Sequence, residues 1–298
     1  MATEDVDPRF TDLDAWPFAS AIEAMWEGQL AAVSAVRHAL PAITLAAGVA
    51  AERLGEAGRL IYVGAGTSGR VAVQDGAELP PTFDWPSERL GFALAGGEKA
   101  LITSVEGAED DAGDGAGQID RAQIGPEDVV IGVAASGTTP FTVAAIRRAR
   151  EQGAVTIGIA NNAGSPLLEA AGYPVLVETG SELIAGSTRM KAGTAQKVVL
   201  NLISSAIMLK RGRVYRGMMV NMRAANAKLR IRAQRMVVRL AGCDEARAAE
   251  ALDAAGYDIK LAIFLVLGHD EARARHLLAR HDGNLRLALQ AAENGAET

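Results

Sequence analysis

The chain has 298 residues, 49% of them hydrophobic, and a formal net charge of −6. That length supports one large domain or two unequal ones, and the acidic balance gives no basic character for a nucleic-acid partner. The single cysteine, Cys243, excludes an internal disulfide framework and fits a reducing, cytoplasmic compartment. The acidic N-terminus is unlike a signal peptide, and charges or turn residues interrupt every apolar run of spanning length, so no membrane partner is expected.

In chain order, residues 16–40 place Ile22, Met25, Trp26, Leu30, Val33 and Val36 at helical spacing, predicting a long amphipathic helix. A second helix is expected at 43–56. Short apolar runs at 59–63, 90–94, 128–133, 155–159 and 175–177 predict strands, with a helix at 141–152. Strands alternating with helices imply an α/β fold with a doubly wound parallel sheet. Beyond Met190 the strand signal stops, and residues 191–210 and 214–240 read as long flanking helices. Asp244-Glu-Ala-Arg247 recurs as Asp270-Glu-Ala-Arg273, and Leu261-Ala262 as Leu287-Ala288, at one offset of 26 residues. This predicts a duplicated, small all-α domain at 243–298.

Two segments carry anion-binding chemistry. Gly64-Ala-Gly66-Thr67-Ser68-Gly69 fits G-x-G-x-x-G between a strand and a helix. The next strand, however, ends in Ala95-Gly96-Gly97 rather than a ribose-binding acid, and Arg70-Val71 replaces the Lys-Ser/Thr of a P-loop. No nucleotide cofactor is therefore expected. What remains is a glycine turn with hydroxyls at a helix N-terminus, which suits phosphate. Ser136-Gly137-Thr138-Thr139-Pro140 repeats that chemistry. Either turn alone is explained by helix capping. Two such turns after parallel strands of one sheet converge on a crevice if a topological switch point lies between the strands.

No histidine lies between residues 39 and 268, so acid–base chemistry there falls to carboxylates or Lys191. Two acidic stretches are the candidates, Asp75-Gly-Ala-Glu78 ahead of Pro80-Pro81 and Glu106-Gly-Ala-Glu109-Asp110-Asp111, with solvated loops as the alternative. No metal-ligand spacing is present. Residues 183–243 hold thirteen Lys or Arg and no acid, either as solvated helix faces and a subunit interface or as a positive field over an anionic substrate.

Five ordered segments resemble one bacterial family, the N-acetylmuramic acid 6-phosphate etherases. They are Gly64–Arg70, Glu78-Leu-Pro-Pro-Thr-Phe83, Val105-Glu-Gly-Ala-Glu-Asp110, Ala135–Pro140 and Gly186-Ser-Thr-Arg-Met-Lys191 with its continuation to Lys197. The resemblance implies a SIS (sugar isomerase) domain at 50–215, preceded by a helical segment at 1–49 and followed by a connecting helix at 216–242. It implies cleavage of the lactyl ether of N-acetylmuramic acid 6-phosphate to N-acetylglucosamine 6-phosphate and (R)-lactate, in recycling of cell-wall sugars, without cofactor or metal. By motif, Glu78 falls on the general acid and Glu109 on the base at C2. Substrate contacts fall on Gly66, Thr67, Ser68, Ser136, Gly137, Thr138, Thr139 and Lys191. Many members have Ser-Glu-Cys-Pro-Pro where this chain has Ala77-Glu78-Leu79-Pro80-Pro81. A homodimer is the expected assembly. The alternatives are a phosphosugar isomerase and a non-catalytic sugar-phosphate sensor.

Overall fold

The computed structural model describes residues 2–294. Its elements are α1 (Phe18–Ala35), α2 (Leu40–Arg53), β1 (Leu60–Gly64), α3 (Gly66–Ala77), α4 (Leu79–Phe83), β2 (Leu90–Leu94), α5 (Ala112–Arg121), β3 (Val129–Ala134), α6 (Pro140–Glu151), β4 (Val155–Ala160), α7 (Pro166–Ala170) and β5 (Tyr173–Leu176). They continue with α8 (Lys191–Lys210), α9 (Ala227–Ala241), α10 (Glu245–Ala254), α11 (Ile259–Val266), α12 (Glu271–Arg280) and α13 (Leu285–Glu293). Two compact units result. The first holds the residues up to Ala77 with Glu88–Ala206, and the second Glu78–Ser87 with the residues from Ile207.

The first unit is an α/β layer structure around one parallel sheet of order β2-β1-β3-β4-β5. Every residue of β1, β3 and β4 is buried, whereas the edge strands β2 and β5 are partly exposed. This explains why the central strands read as unbroken apolar runs: helices cover both faces, and no alternation is needed. From β1 the chain crosses to β2 on one side; from β3 it crosses to β4 on the other. The switch point is therefore between β1 and β3, where Gly64 pairs with Val133. The carboxylate of Asp75, 2% exposed, ties this layer together by accepting from Tyr62 Oη (2.9 Å), Asn201 Nδ2 and Ser204 Oγ. Burial, and then the Asp75 carboxylate, hold the Tyr62 phenol protonated far above its ordinary range.

The N-terminal helix differs from the simple expectation. It breaks at a 3-10 turn, Val36–Ala39, before α2 begins. Its small-residue side is turned inward: Ala21 and Ala32 are buried, and a Cβ on Gly28 would stand 2.5 Å from Leu183 Cδ1. The predicted apolar stripe of Ile22, Trp26, Leu30 and Val33 is exposed on the outside. Phe18–Arg53 and Lys191–Lys210 reach spanning length with mean hydropathy 1.5 and 1.2, though Glu23, Glu27, Arg37 and Pro41 interrupt the first and Lys197 the second, as the charge spacing predicts. The second of these is a core helix of the sheet layer, where Ala192, Ala195, Val199, Leu200 and Ile203 are buried.

In the second unit, the helix expected at 214–240 begins only at Ala227. Arg216 and Gly217 take positive φ values of 46° and 77°, closing a turn in which Tyr215 and Met218 bridge, so no helix can run through them. The 26-residue duplication is visible in the helix caps. Asp244 and Asp270 cap α10 and α12, each accepting from the backbone N–H three residues on (2.8 and 2.9 Å). Asp258 and Asn284 do the same for α11 and α13. Lys260 is 6% exposed and donates to the Gly283 carbonyl. Burial, with Arg213 nearby, pushes its ammonium down to about 8. The unfolded chain therefore keeps a proton that the folded chain loses, and stability should rise from pH 8 toward 10.5. Urea titrations of Lys260→Met should lack that rise and show a gain of up to about 3 kcal/mol at pH 7, where the wild type buries a charge.

Candidate active site

The two hydroxyl turns leave the sheet at the switch point. The paired ends of β1 and β3 are Gly64 and Val133; Gly66 follows the first by two residues and Ser136 the second by three, so register brings the turns close to level. Close backbone packing then shapes them. A Cβ on Gly64 would lie 2.8 Å from the Cα of Gly69, so the first turn folds back onto its own strand. Gly137 has φ +70°, and a Cβ there would meet Ser165 Oγ at 2.1 Å. Gly137→Ala should therefore cost about 2–5 kcal/mol from strain plus overpacking, read as a lower urea midpoint.

A cavity of about 400 Å³ opens between the turns. Its wall includes Gly66, Thr67 and Ser68 from the first turn, Ser136, Thr138 and Thr139 from the second, and the carboxylate-bearing Glu109. Thr139 stands at the N-cap of α6 without a side-chain capping bond, and Ser136 Oγ instead accepts from Thr138 N (3.1 Å). Pro140 has no N–H and Val143 N donates to Thr139 O (3.0 Å), so among the first-turn groups the N–H of Phe141 and of Thr142 are left for another acceptor. Glu109 is carried on a 3-10 turn, Ala108–Asp110, entered through Gly107 at φ 71°. Asp111 fixes the exit of that turn by capping α5 through Asp114 N (2.8 Å).

Two sequence candidates, Gly137 and Lys191, do not line this cavity, and Glu78 belongs to the second unit. Gly137 shapes the second turn from behind, against Ser165. Lys191 turns away: its Nζ donates to Ser181 O (2.8 Å), and burial lowers its pKa against the opposing pull of Glu182. Glu182, fully buried, places both carboxylate oxygens on the N-terminus of α8, at Lys191 N (2.8 Å) and Ala192 N (2.9 Å). That anion position is already filled by the protein itself. Glu78 follows Ala77, the last residue of α3, whereas Thr67 and Ser68 are in its first turn. A helix of 12 residues spans about 18 Å.

Other wall residues come from segments distant in sequence. Gly186 and Thr188 are contributed by the basic stretch, although none of its cations lines the cavity, and Glu4 comes from the chain's start. Arg70, placed where a P-loop would have lysine, lines an adjoining cavity of about 250 Å³ with Glu106 and Glu109 and donates to Ala100 O (3.0 Å).

Family models agree with this architecture. The glucokinase regulatory protein N-terminal SIS domain matches residues 43–150, and the SIS domain matches residues 111–206. A phosphoheptose isomerase from Francisella tularensis shares the fold, with a TM-score of 0.52 at 19% identity, over 65% of this chain and 100% of that one. Sheet order, paired turns and these matches define a SIS-domain protein.

Full-length relatives narrow the class. The chain is 50% identical over 276 residues to the N-acetylmuramic acid 6-phosphate etherase of Deinococcus radiodurans, covering 92% of this chain and 90% of the relative. It is 46% identical to that of Rubrobacter xylanophilus, covering 97% and 96%. The chain belongs to the N-acetylmuramic acid 6-phosphate etherase family.

Proposed function

We infer that this chain is a carbon–oxygen lyase that cleaves the lactyl ether of N-acetylmuramic acid 6-phosphate, giving N-acetylglucosamine 6-phosphate and (R)-lactate. The observation that carries the chemistry is Glu109 in the wall of the cavity that both hydroxyl turns line. The turns grip the phosphate through N–H groups and hydroxyls at two helix N-termini. Glu109 removes the C2 proton of the ring-opened sugar, next to the C1 aldehyde. The C3–O bond to lactate then breaks, and a carboxylic acid protonates the leaving oxygen. Water adds at C3 of the unsaturated aldehyde and C2 is reprotonated, so atoms balance without a redox step.

Glu78 is the acid in this reading, supported by its place in the Glu78-Leu-Pro-Pro motif. The length of α3 between Glu78 and the first turn supports delivery of that acid by a second copy of the chain. The exposed stripe of Ile22, Trp26, Leu30 and Val33 on α1 supports the same homodimer, because such a stripe needs a cover. The lone cysteine supports a cytoplasmic setting. The test is purified protein with N-acetylmuramic acid 6-phosphate and an enzymatic lactate assay: (R)-lactate should appear in step with N-acetylglucosamine 6-phosphate, and no lactate removes the reading.

A further inference from the structure

The start of the chain is built into the crevice. Ala2–Glu4 forms a single 3-10 turn in which Thr3 is fully buried. Thr3 N donates to Asn162 Oδ1 (3.4 Å), and the Asn162 amide donates to Thr3 Oγ1 (2.9 Å). The same amide donates to Ala135 O (3.0 Å), immediately before Ser136. One side chain at the end of β4 thus clips a terminal segment to the second hydroxyl turn.

The clip puts Glu4 in the cavity wall, with Glu109 and the two turns. Its Oε2 lies 3.1 Å from where a Cβ on Gly186 would stand, and Gly186 has φ +73°, so a side chain there would press on the carboxylate. Among the described residues, no ion pair or hydrogen bond engages the Glu4 side chain. A free carboxylate in a phosphosugar crevice cannot receive the phosphate or the lactyl carboxylate. It can accept only from neutral donors, the hydroxyls and the amide N–H of the sugar.

We propose that Glu4 is a specificity-determining residue, accepting hydrogen bonds from sugar O–H or N–H groups and repelling the anionic ends, so that the phosphate can lodge only at the hydroxyl turns. This rests on the etherase reading for its substrate, and Thr3 and Asn162 act as positioning residues for it. The expected result for Glu4→Gln and Glu4→Ala is a KM for N-acetylmuramic acid 6-phosphate raised roughly 10–100-fold with kcat held within a few-fold. Thr3→Val, which keeps Glu4 but loosens the clip, should give a smaller rise, and Glu4→Asp should recover part of the loss. Calorimetric binding of the product, N-acetylglucosamine 6-phosphate, should weaken in parallel and needs no turnover. Unchanged KM and product affinity in both Glu4 variants would overturn the proposal, as would a fall in kcat alone or no binding by the wild type. If the wild type binds the product but releases no lactate, the etherase reading fails, and the affinities of the Glu4 variants still decide the role of Glu4.

Discussion

Glu109→Gln should lower lactate release about 100- to 10,000-fold, the range carried by a positioned general base. Glutamine keeps the volume and hydrogen-bonding shape of the side chain but cannot take a proton from C2. If the phosphate is held by the turns, as proposed, and not by Glu109, KM should stay within a few-fold of wild type. Stability should hardly change, since Glu109 is exposed on its 3-10 turn and α5 is capped by Asp111, not by Glu109. Parallel steady-state kinetics and urea unfolding check all three expectations. A variant that keeps wild-type kcat removes Glu109 from the chemistry, and one that loses activity by unfolding says nothing special of the carboxylate.

Mixing Glu78→Gln with Glu109→Gln should restore activity that neither variant has alone. If each site takes Glu109 from one copy and Glu78 from the other, a mixed dimer has one site with both glutamates intact and one with neither. Random exchange makes half the dimers mixed, so recovery should approach about a quarter of the wild-type rate. Co-expression with two affinity tags isolates the mixed species, whose lactate release should be about half the wild-type rate, since one of its two sites is intact. Mixed dimers without activity would show that both glutamates serve one site from the same chain.

The strands and their two turns were legible because the local code is strong there: buried parallel strands are short apolar runs, and the glycines and hydroxyls follow directly in sequence. The order of the sheet then supplied what spacing alone could not, a switch point between β1 and β3. The C-terminal duplication was legible through its capping residues, with Asp244 and Asp270 repeating one helix start. The outward stripe of α1 was not legible, because helical periodicity identifies an apolar face without saying what covers it. The irregular stretch before α9 was missed because its turn depends on Arg216 at a positive φ, a conformation that few non-glycine residues adopt.

The contacts of Glu4, Glu182 and Asn162 were illegible for a common reason. Each acts through contacts made by the completed fold: Asn162 with Thr3 across 159 positions, Glu182 with the start of α8, and Glu4 with a cavity assembled from four segments. Lys191 illustrates the converse. Its place in a distinctive motif marked it for the substrate, yet its ammonium is spent on Ser181 O. The start of α8 is held by Glu182, which accepts from Lys191 N and Ala192 N.

The central claim is that this crevice breaks a C–O bond by proton removal at C2 and replaces it with water. Proton NMR of N-acetylmuramic acid 6-phosphate with the purified protein in deuterium oxide tests it most directly. Elimination followed by water addition predicts one equivalent of free lactate and N-acetylglucosamine 6-phosphate bearing deuterium at C2. Lactate release with the C2 proton fully retained would contradict elimination, and unchanged substrate would contradict the function itself.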